Sequence, residues 1–171
     1  MLYKSTIVRD LATGGKMFYP ENNKWFNHAL IQKANDSLIV EKIEIDIPSV
    51  VEGVWALFTP KVNTTMSNVK RISVASFYVS PNSPYKLDAI DHIVESIHLI
   101  RTKYDNEVNF LLGGDFNRLN INSILDSYGA LKQTVTVPTR KDAILEILLS
   151  DFSNLYHPPT TMAPLQVDQD K

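Results

Sequence analysis

Leu111-Leu112-Gly113-Gly114-Asp115-Phe116-Asn117 is the stretch whose reading decides the fold. Val108 to Leu112 is a short apolar run of the kind that forms a buried strand. It delivers two glycines, then a carboxylate and an amide two residues apart. In extended backbone, positions i and i+2 point to the same side, so Asp115 and Asn117 are expected to face one pocket while Phe116 turns into the core. The glycines remove side chains beside that pocket and let another strand or a substrate come close. Ligands gather where strands stop and loops begin, which suits this placement. The plainer reading of Gly-Gly-Asp is a turn, with Asp115 as an N-terminal cap for the residues after it.

Upstream, Arg71 to Val79 reads as a strand stopped by Ser80-Pro81-Asn82. A helix is predicted next, with Ser83 as N-cap and Pro84 at the first helical position. Leu87, Ile90, Val94, Ile97 and Ile100 recur at three- and four-residue spacing up to about Tyr104. Strand, helix and strand in succession make a crossover that places the two strands parallel, though not necessarily adjacent. Further upstream, Val54 to Phe58 is a continuous apolar run closed by Thr59-Pro60. Leu38, Val40, Ile43, Ile45 and Ile47 alternate with charged residues up to Pro48. Both read as strands, and Ala29 to Ile31 as a short one. Met1 to Asn27, with Gly14, Gly15, Pro20 and Asn22-Asn23, reads as loop-rich. Downstream, a short helix is expected from Ile121 to Tyr128, ended by Gly129, and a strand from Ala143 to Leu149. From His157 onward the pattern is that of a surface loop or frayed end.

Composition bounds the function. The 171 residues are about one domain, with 44% hydrophobic and 21% charged residues, the usage of an ordinary globular chain. Seventeen Lys and Arg against nineteen Asp and Glu give a formal charge of -2, which excludes the strongly basic footprint of a free-standing nucleic-acid binder. An enzyme that meets phosphate through a metal ion is not excluded. Cysteine is absent, which removes disulfides, thiol nucleophiles and Cys-ligated zinc. Met1 to Gly15 lacks the apolar centre of a signal peptide, and no apolar run approaches the roughly 18 residues that span a bilayer. A soluble, intracellular protein without a membrane partner is expected. His92 and His98 lie six apart on the predicted helix and share no face, so both read as surface or boundary residues. His28 and His157 have no metal-ligand spacing.

Gly114-Asp115-Phe116-Asn117 after a buried strand resembles the Gly-Asp-Phe-Asn motif of the endonuclease/exonuclease/phosphatase superfamily, and within it the endonuclease domains associated with non-LTR retrotransposon reverse transcriptases. Arg71 to Pro81 is similar to the family's strand with a Tyr-x-x-Pro segment, and the helix falls where the family has one. Leu131 to Val135 with Pro138-Thr139-Arg140 resembles its x-Gln-x-Val-x-x-Pro-Thr-Arg stretch. Ala143 to Asp151 resembles its Leu-Asp-x-Ile-x-x-Asp strand. The four segments occur in the family's order, from about Ala29 to the C-terminus.

The resemblance implies an α/β (α+β) fold, a four-layer α/β/β/α sandwich, and hydrolysis of a phosphodiester or phosphomonoester with Mg2+ or Mn2+. It implies that Asp115 positions or activates water or protonates the leaving oxygen, that Asn117 binds a phosphate oxygen, and that Tyr78 reaches into the site. Arg118, Thr139 and Arg140 become candidate phosphate contacts. Core packing for Tyr78 and a solvated position for either arginine are the alternatives. The implied partners are nucleic acid, DNA ahead of RNA, and a reverse transcriptase domain in the parent element. The family's upstream Asn and its metal-binding Glu have no counterpart in residues 1–27, and Glu21 does not inherit that role, so the metal ligands are left unassigned. The closing Ser-Asp-His is also missing, and Glu146 stands where relatives carry Asp. The expectation is therefore a loop-rich segment at 1–27 followed by an incomplete domain at 28–171, lacking part of the N-terminal half and the C-terminal end. Such a chain is expected to show little or no nuclease activity by itself, or to be an inactive remnant serving as a binding or interaction module.

Overall fold

The computed structural model describes residues 5–9, 16–20, 30–32, 38–46, 48, 51–61, 71–138 and 143–155, with side chains described from Leu38 onward. In chain order the strands are β1 Ser5–Arg9, β2 Lys16–Pro20, β3 Leu30–Gln32, β4 Leu38–Lys42, β5 Glu52–Pro60 and β6 Ile72–Tyr78. Helix α1, Lys86–Lys103, leads to β7 Asn109–Asp115; α2, Asn122–Ser127, leads to β8 Lys132–Gln133 and β9 Glu146–Ser150. A 3-10 turn at Ser153–Leu155 comes last.

Six strands form a mixed sheet in the order β4-β5-β6-β7-β9-β8. β6 and β7 are adjacent and parallel, from Ile72 opposite Asn109 to Tyr78 opposite Asp115, so α1 is the crossover that joins them. The remaining neighbours are antiparallel. Along β6, Ser73, Ala75 and Phe77 are buried while the residues between them are half-buried, the period of two that the sequence carries. Trp55, Leu57, Phe77, Phe110, Leu112 and Leu149 project from one face of the sheet. There they pack with Ala89, Ile93, Ile97 and Ile100 of α1 and Ile124 of α2. Each fully buried aromatic in this layer contributes about 1.5–3 kcal/mol.

Val54 and Ala56 of β5 join Val40 on the opposite face. Both edges of β5 are taken by β4 and β6, so β2, which lies close to β5, approaches it across that second face. The result is a helix layer, the mixed sheet and the antiparallel β1-β2-β3 sheet. This arrangement corrects the expectation of a loop-rich stretch up to Asn27. Ser5–Arg9 and Lys16–Pro20 are paired strands, Ile7 opposite Phe18 and Val8 opposite Met17. Their β-branched and aromatic residues favour pleated backbone, and the glycines taken as loop markers fall between them in the sequence.

Helix α1 begins at Lys86 rather than Pro84, because the Ser83 hydroxyl accepts the Tyr85 N–H at 3.2 Å and Ser83 N–H is used in a turn to Ser80. Leu87, expected in the apolar stripe, is 74% exposed. The buried face instead carries Ala89, Ile90, His92, Ile93, Ser96, Ile97 and Ile100. At its other end the Asn106 N–H reaches the Arg101 carbonyl at 2.8 Å, with Asp105 and Asn106 in left-handed backbone, and this Schellman closure stops the helix. The far end of β7 is tied down by Asp151. Its carboxylate accepts the Phe110 N–H at 2.9 Å and the Asn109 side-chain amide and Tyr128 hydroxyl at 3.1 Å each. Burial pushes the Tyr128 hydroxyl above its ordinary pKa, and the Asp151 charge adds to that. No helix among the described residues is long and apolar enough to cross a membrane.

His92, expected at the surface, is 6% exposed and lies edge-on to Phe77 with ring centroids 6.3 Å apart. Burial pushes its imidazole from 6.5 down to about 4, against an opposing pull from Asp46. On unfolding the ring returns to its ordinary value. Between these two values the unfolded chain binds a proton that the folded chain refuses, so stability is full above pH 6.5 and falls as pH drops toward 4. The ring's share is up to about 3 kcal/mol. Replacing His92 by Gln is expected to flatten the loss seen in urea unfolding between pH 7 and about pH 4.5; an unchanged slope would show that the ring is solvated in the folded chain.

A Cβ at Gly114, whose φ is +150°, would overlap the Phe77 carbonyl oxygen and stand 2.8 Å from its carbon. Gly114→Ala is expected to cost at least about 3 kcal/mol in thermal unfolding. Gly129→Ala, which would meet nothing within 4 Å, is expected to stay within about 0.5 kcal/mol of the parent.

Candidate active site

Strand register brings the chemistry together. Glu52 lies opposite Tyr78, Tyr78 opposite Asp115, and Asp115 opposite Glu146, so one row crosses β5, β6, β7 and β9 at a single sheet edge. Directly opposed residues share a face. Since Phe77 and Leu112 point toward the helices, alternation sends Tyr78 and Asp115 to the other face. Both are half-buried. Of this row, sequence reasoning named Tyr78 and Asp115 as candidates, noted Glu146 only where relatives carry Asp, and did not single out Glu52. Its place in the row depends on the β5–β6 register, which the residues of β5 alone do not reveal.

Beyond Asp115 the chain leaves the extended conformation that the i, i+2 argument assumed. Asn117 and Arg118 have φ of 42° and 65°, two successive left-handed residues without a glycine. The turn is held from within, as the Asp115 Oδ1 accepts the Asn117 N–H at 3.1 Å. Asp115 and Asn117 are therefore neighbours through a side-chain-to-backbone bond and not through strand alternation. The Asp115 carbonyl accepts the Val79 N–H at 3.0 Å, and the Asn117 side-chain amide donates to the Val79 carbonyl at 3.0 Å. The loop after β6 and the turn after β7 are thus stitched into one rim. Phe116 is 1% exposed and packs edge-on to Phe77, as expected.

Asp115 has no further partner for Oδ2 among the described residues. Asn117 is 8% exposed, and one of its two amide hydrogens is committed to Val79. The Tyr78 hydroxyl makes no hydrogen bond among the described residues, and Arg118 is exposed beside the turn. Thr139 and Arg140 lie outside the described residues. Among the described residues no three His, Asp or Glu side chains converge to hold a metal ion. A groove of about 570 Å³ is formed by α1 and the segment after β4 and does not include Tyr78, Asp115 or Asn117.

No protein-family model and no curated protein sequence matches the chain. Solved structures match its fold. The human Nocturnin catalytic domain with bound sulfate anion aligns with a TM-score of 0.54 and 10% identity, over 87% of this chain and 60% of that one. A humanized D. rerio TDP2 aligns with a TM-score of 0.50 and 9% identity, over 88% and 64%. An endonuclease/exonuclease/phosphatase family protein from Bacteroides thetaiotaomicron gives 0.46 and 15% identity, over 87% and 60%. The chain shares the α/β fold of the Nocturnin catalytic domain and of TDP2, and at these identities the fold alone is shared. The chain spans 60–64% of the length of these structures.

The turn makes a stability prediction that separates structure from chemistry. Asp115→Ala removes the acceptor of the Asn117 N–H and is expected to cost about 1 kcal/mol in urea unfolding, whereas Asp115→Asn keeps an acceptor and is expected to cost less than about 0.5 kcal/mol. Equal losses in the two variants would mean that the turn does not depend on this oxygen.

Proposed function

We propose that this chain is part of a phosphodiester-hydrolysing domain of the endonuclease/exonuclease/phosphatase type, of the kind associated with retroelement reverse transcriptases. Its ancestral substrate is a nucleic acid, DNA ahead of RNA. The observation that carries this reading is the pairing of Tyr78 with Asp115 at the ends of two parallel strands, with Asn117 and Arg118 in the turn immediately after. The Nocturnin catalytic domain, which shares the fold, holds a sulfate anion, and a tetrahedral oxyanion is the group these residue types suit.

Each side chain then has a role fitted to its chemistry. Asp115 holds the turn with Oδ1 and uses Oδ2 to take a proton from attacking water or to return one to the leaving oxygen. The second amide hydrogen of Asn117 meets a phosphate oxygen without adding charge. Arg118 grips phosphate at the rim, while the Tyr78 hydroxyl donates from the neighbouring strand; Thr139 and Arg140 are further candidate phosphate contacts by residue type. A divalent ion, Mg2+ or Mn2+, would neutralise and polarise the phosphate. The described residues offer it no three-donor seat.

That same deficit, with half the Asn117 amide committed to Val79, favours a second reading in which the chain binds a phosphate-bearing partner without cutting it. The expected result is that the chain alone nicks supercoiled plasmid no faster than background in Mg2+ or Mn2+, yet binds a labelled single-stranded oligonucleotide in fluorescence anisotropy. Arg118→Ala is expected to weaken that binding about threefold. Nicking that is abolished by EDTA and by Asp115→Asn would establish an active enzyme in place of a binding module. Neither nicking nor binding would remove the nucleic-acid reading.

A further inference from the structure

Among the tyrosines whose side chains are described, Tyr85 alone is left unused by the fold and by the proposed function. Tyr104 and Tyr128 pack against the core and carry a guanidinium over the ring, Arg71 at 5.4 Å and Arg101 at 4.4 Å. Tyr78 belongs to the candidate site. Tyr85 is 48% exposed, and its side chain has no hydrogen bond or ring contact among the described residues.

The backbone that carries this ring is built into the rim of the site. β6 stops at Tyr78 beside Asp115, and residues 79–85 lead from there directly into α1. The segment is tied at its start, where the Val79 N–H donates to the Asp115 carbonyl and the Val79 carbonyl accepts the Asn117 amide, at 3.0 Å each. A turn closed by the Ser83 N–H on the Ser80 carbonyl at 3.0 Å then shortens it, and the Ser83 hydroxyl accepts the Tyr85 N–H at 3.2 Å. Tyr85 is thereby held within about 18 Å of Val79. Pro81 and Pro84 fix the backbone φ at two of the intervening positions. Lys86 follows, half-buried and without an ion pair among the described residues. It opens α1, the end of a helix where a cation is disfavoured, and Asp88, two residues on, does not face it. One end of the sheet thus presents the exposed Arg118, the Asn117 amide, an exposed ring and a second cation.

We infer that Tyr85 stacks on one base of a single-stranded nucleic acid while Lys86 meets the adjoining phosphate, a role that rests on the proposed phosphate-facing reading of the Arg118 turn and narrows its substrate to single strands. Cations that track the backbone and an aromatic ring that takes a base are the two elements of single-strand recognition. An unpaired base offers its face to such a ring, whereas each base inside a duplex is already stacked on its neighbours. Tyrosine suits the task because its ring is flat while its hydroxyl stays in water.

The test uses the full chain at about 50 mM salt and two fluorescein-labelled strands of about 12 nucleotides. One is oligothymidine; the other is its abasic counterpart, which keeps the phosphates and lacks the bases. In fluorescence anisotropy the parent is expected to bind oligothymidine about five- to tenfold more tightly than the abasic strand, and more tightly than the same oligothymidine paired with oligoadenine. Tyr85→Ala is expected to lower oligothymidine binding to the abasic level and to leave abasic binding unchanged, which reports an intact fold in the same assay; Tyr85→Trp is expected to keep the parent's preference. Arg118→Ala is expected to weaken both strands by the same factor. Equal parent affinity for the two strands, an equal loss on both in Tyr85→Ala or no loss on either would overturn the stacking role and leave the phosphate-facing turn in place. Tighter binding to the duplex would overturn it as well. Binding of neither strand by the parent would instead remove the phosphate-facing reading, and the stacking role with it.

Discussion

Two backbones in direct contact set the geometry on which everything else depends. Gly114 lies against Phe77 so closely that an added Cβ would stand 2.8 Å from the Phe77 carbonyl carbon and 2.9 Å from its nitrogen. On the other flank, a Cβ at Gly53 would come within 2.7 Å of two atoms of the Phe77 ring. Two glycines on β5 and β7 thus bracket one phenylalanine on β6, and its ring is held toward the helices among Trp55, His92 and Phe116. With Phe77 committed to one face, Tyr78 must take the other, and the parallel register sets Asp115 beside it. A slip of one residue would exchange the two faces and put a carboxylate in the core.

The strands and helices around that contact were legible because their burial is simple. β5 is apolar across its middle and is covered on both faces, β6 alternates, and α2 ends before its glycine. The strand from Leu38 was legible in type but not in length, since β4 stops at Lys42 even though Ile43 still donates to the Trp55 carbonyl. The failures are equally physical. β1 and β2 are short strands with Gly14 and Gly15 between them in sequence and Pro20 closing the second, and their pairing is a tertiary fact that local punctuation hides. Leu87 matched the helical spacing, but the helix starts later and turns that position to solvent. His92 was read as surface because histidine carries little weight in an apolar pattern. Its place between Ile90 and Ile93 on the buried face could have been found by asking which side of α1 must cover Phe77.

At the candidate site the residue types were legible and their geometry was not. A strand that simply continued would aim Asp115 and Asn117 the same way. The chain instead folds back, and the carboxylate that the resemblance marks for chemistry is also the group that builds the turn. The two readings offered for Gly-Gly-Asp, a turn and a site, are therefore compatible. Oδ1 shapes the rim while Oδ2 has no partner among the described residues, and Val79 takes one of the two Asn117 amide hydrogens. Such double duty makes alanine substitution a poor probe of this edge, since it removes structure and chemistry together, and it gives amide replacement its value.

A formal charge of -2 says little about how this chain meets its partners, because its charges are unevenly placed. The rim after β7 carries the exposed Arg118, whereas α1 carries Asp88, Asp91 and Glu95, none of them in an ion pair among the described residues. The mixed sheet stands between them. A packed layer is about 10 Å thick, comparable with the screening length of about 8 Å at physiological salt, so neither region cancels the other's field. A polyanion approaching along the helix side is turned away, and one approaching the strand ends meets a cation beside hydrogen-bond donors. The sheet that holds Phe77 in register thus also separates two regions of opposite charge.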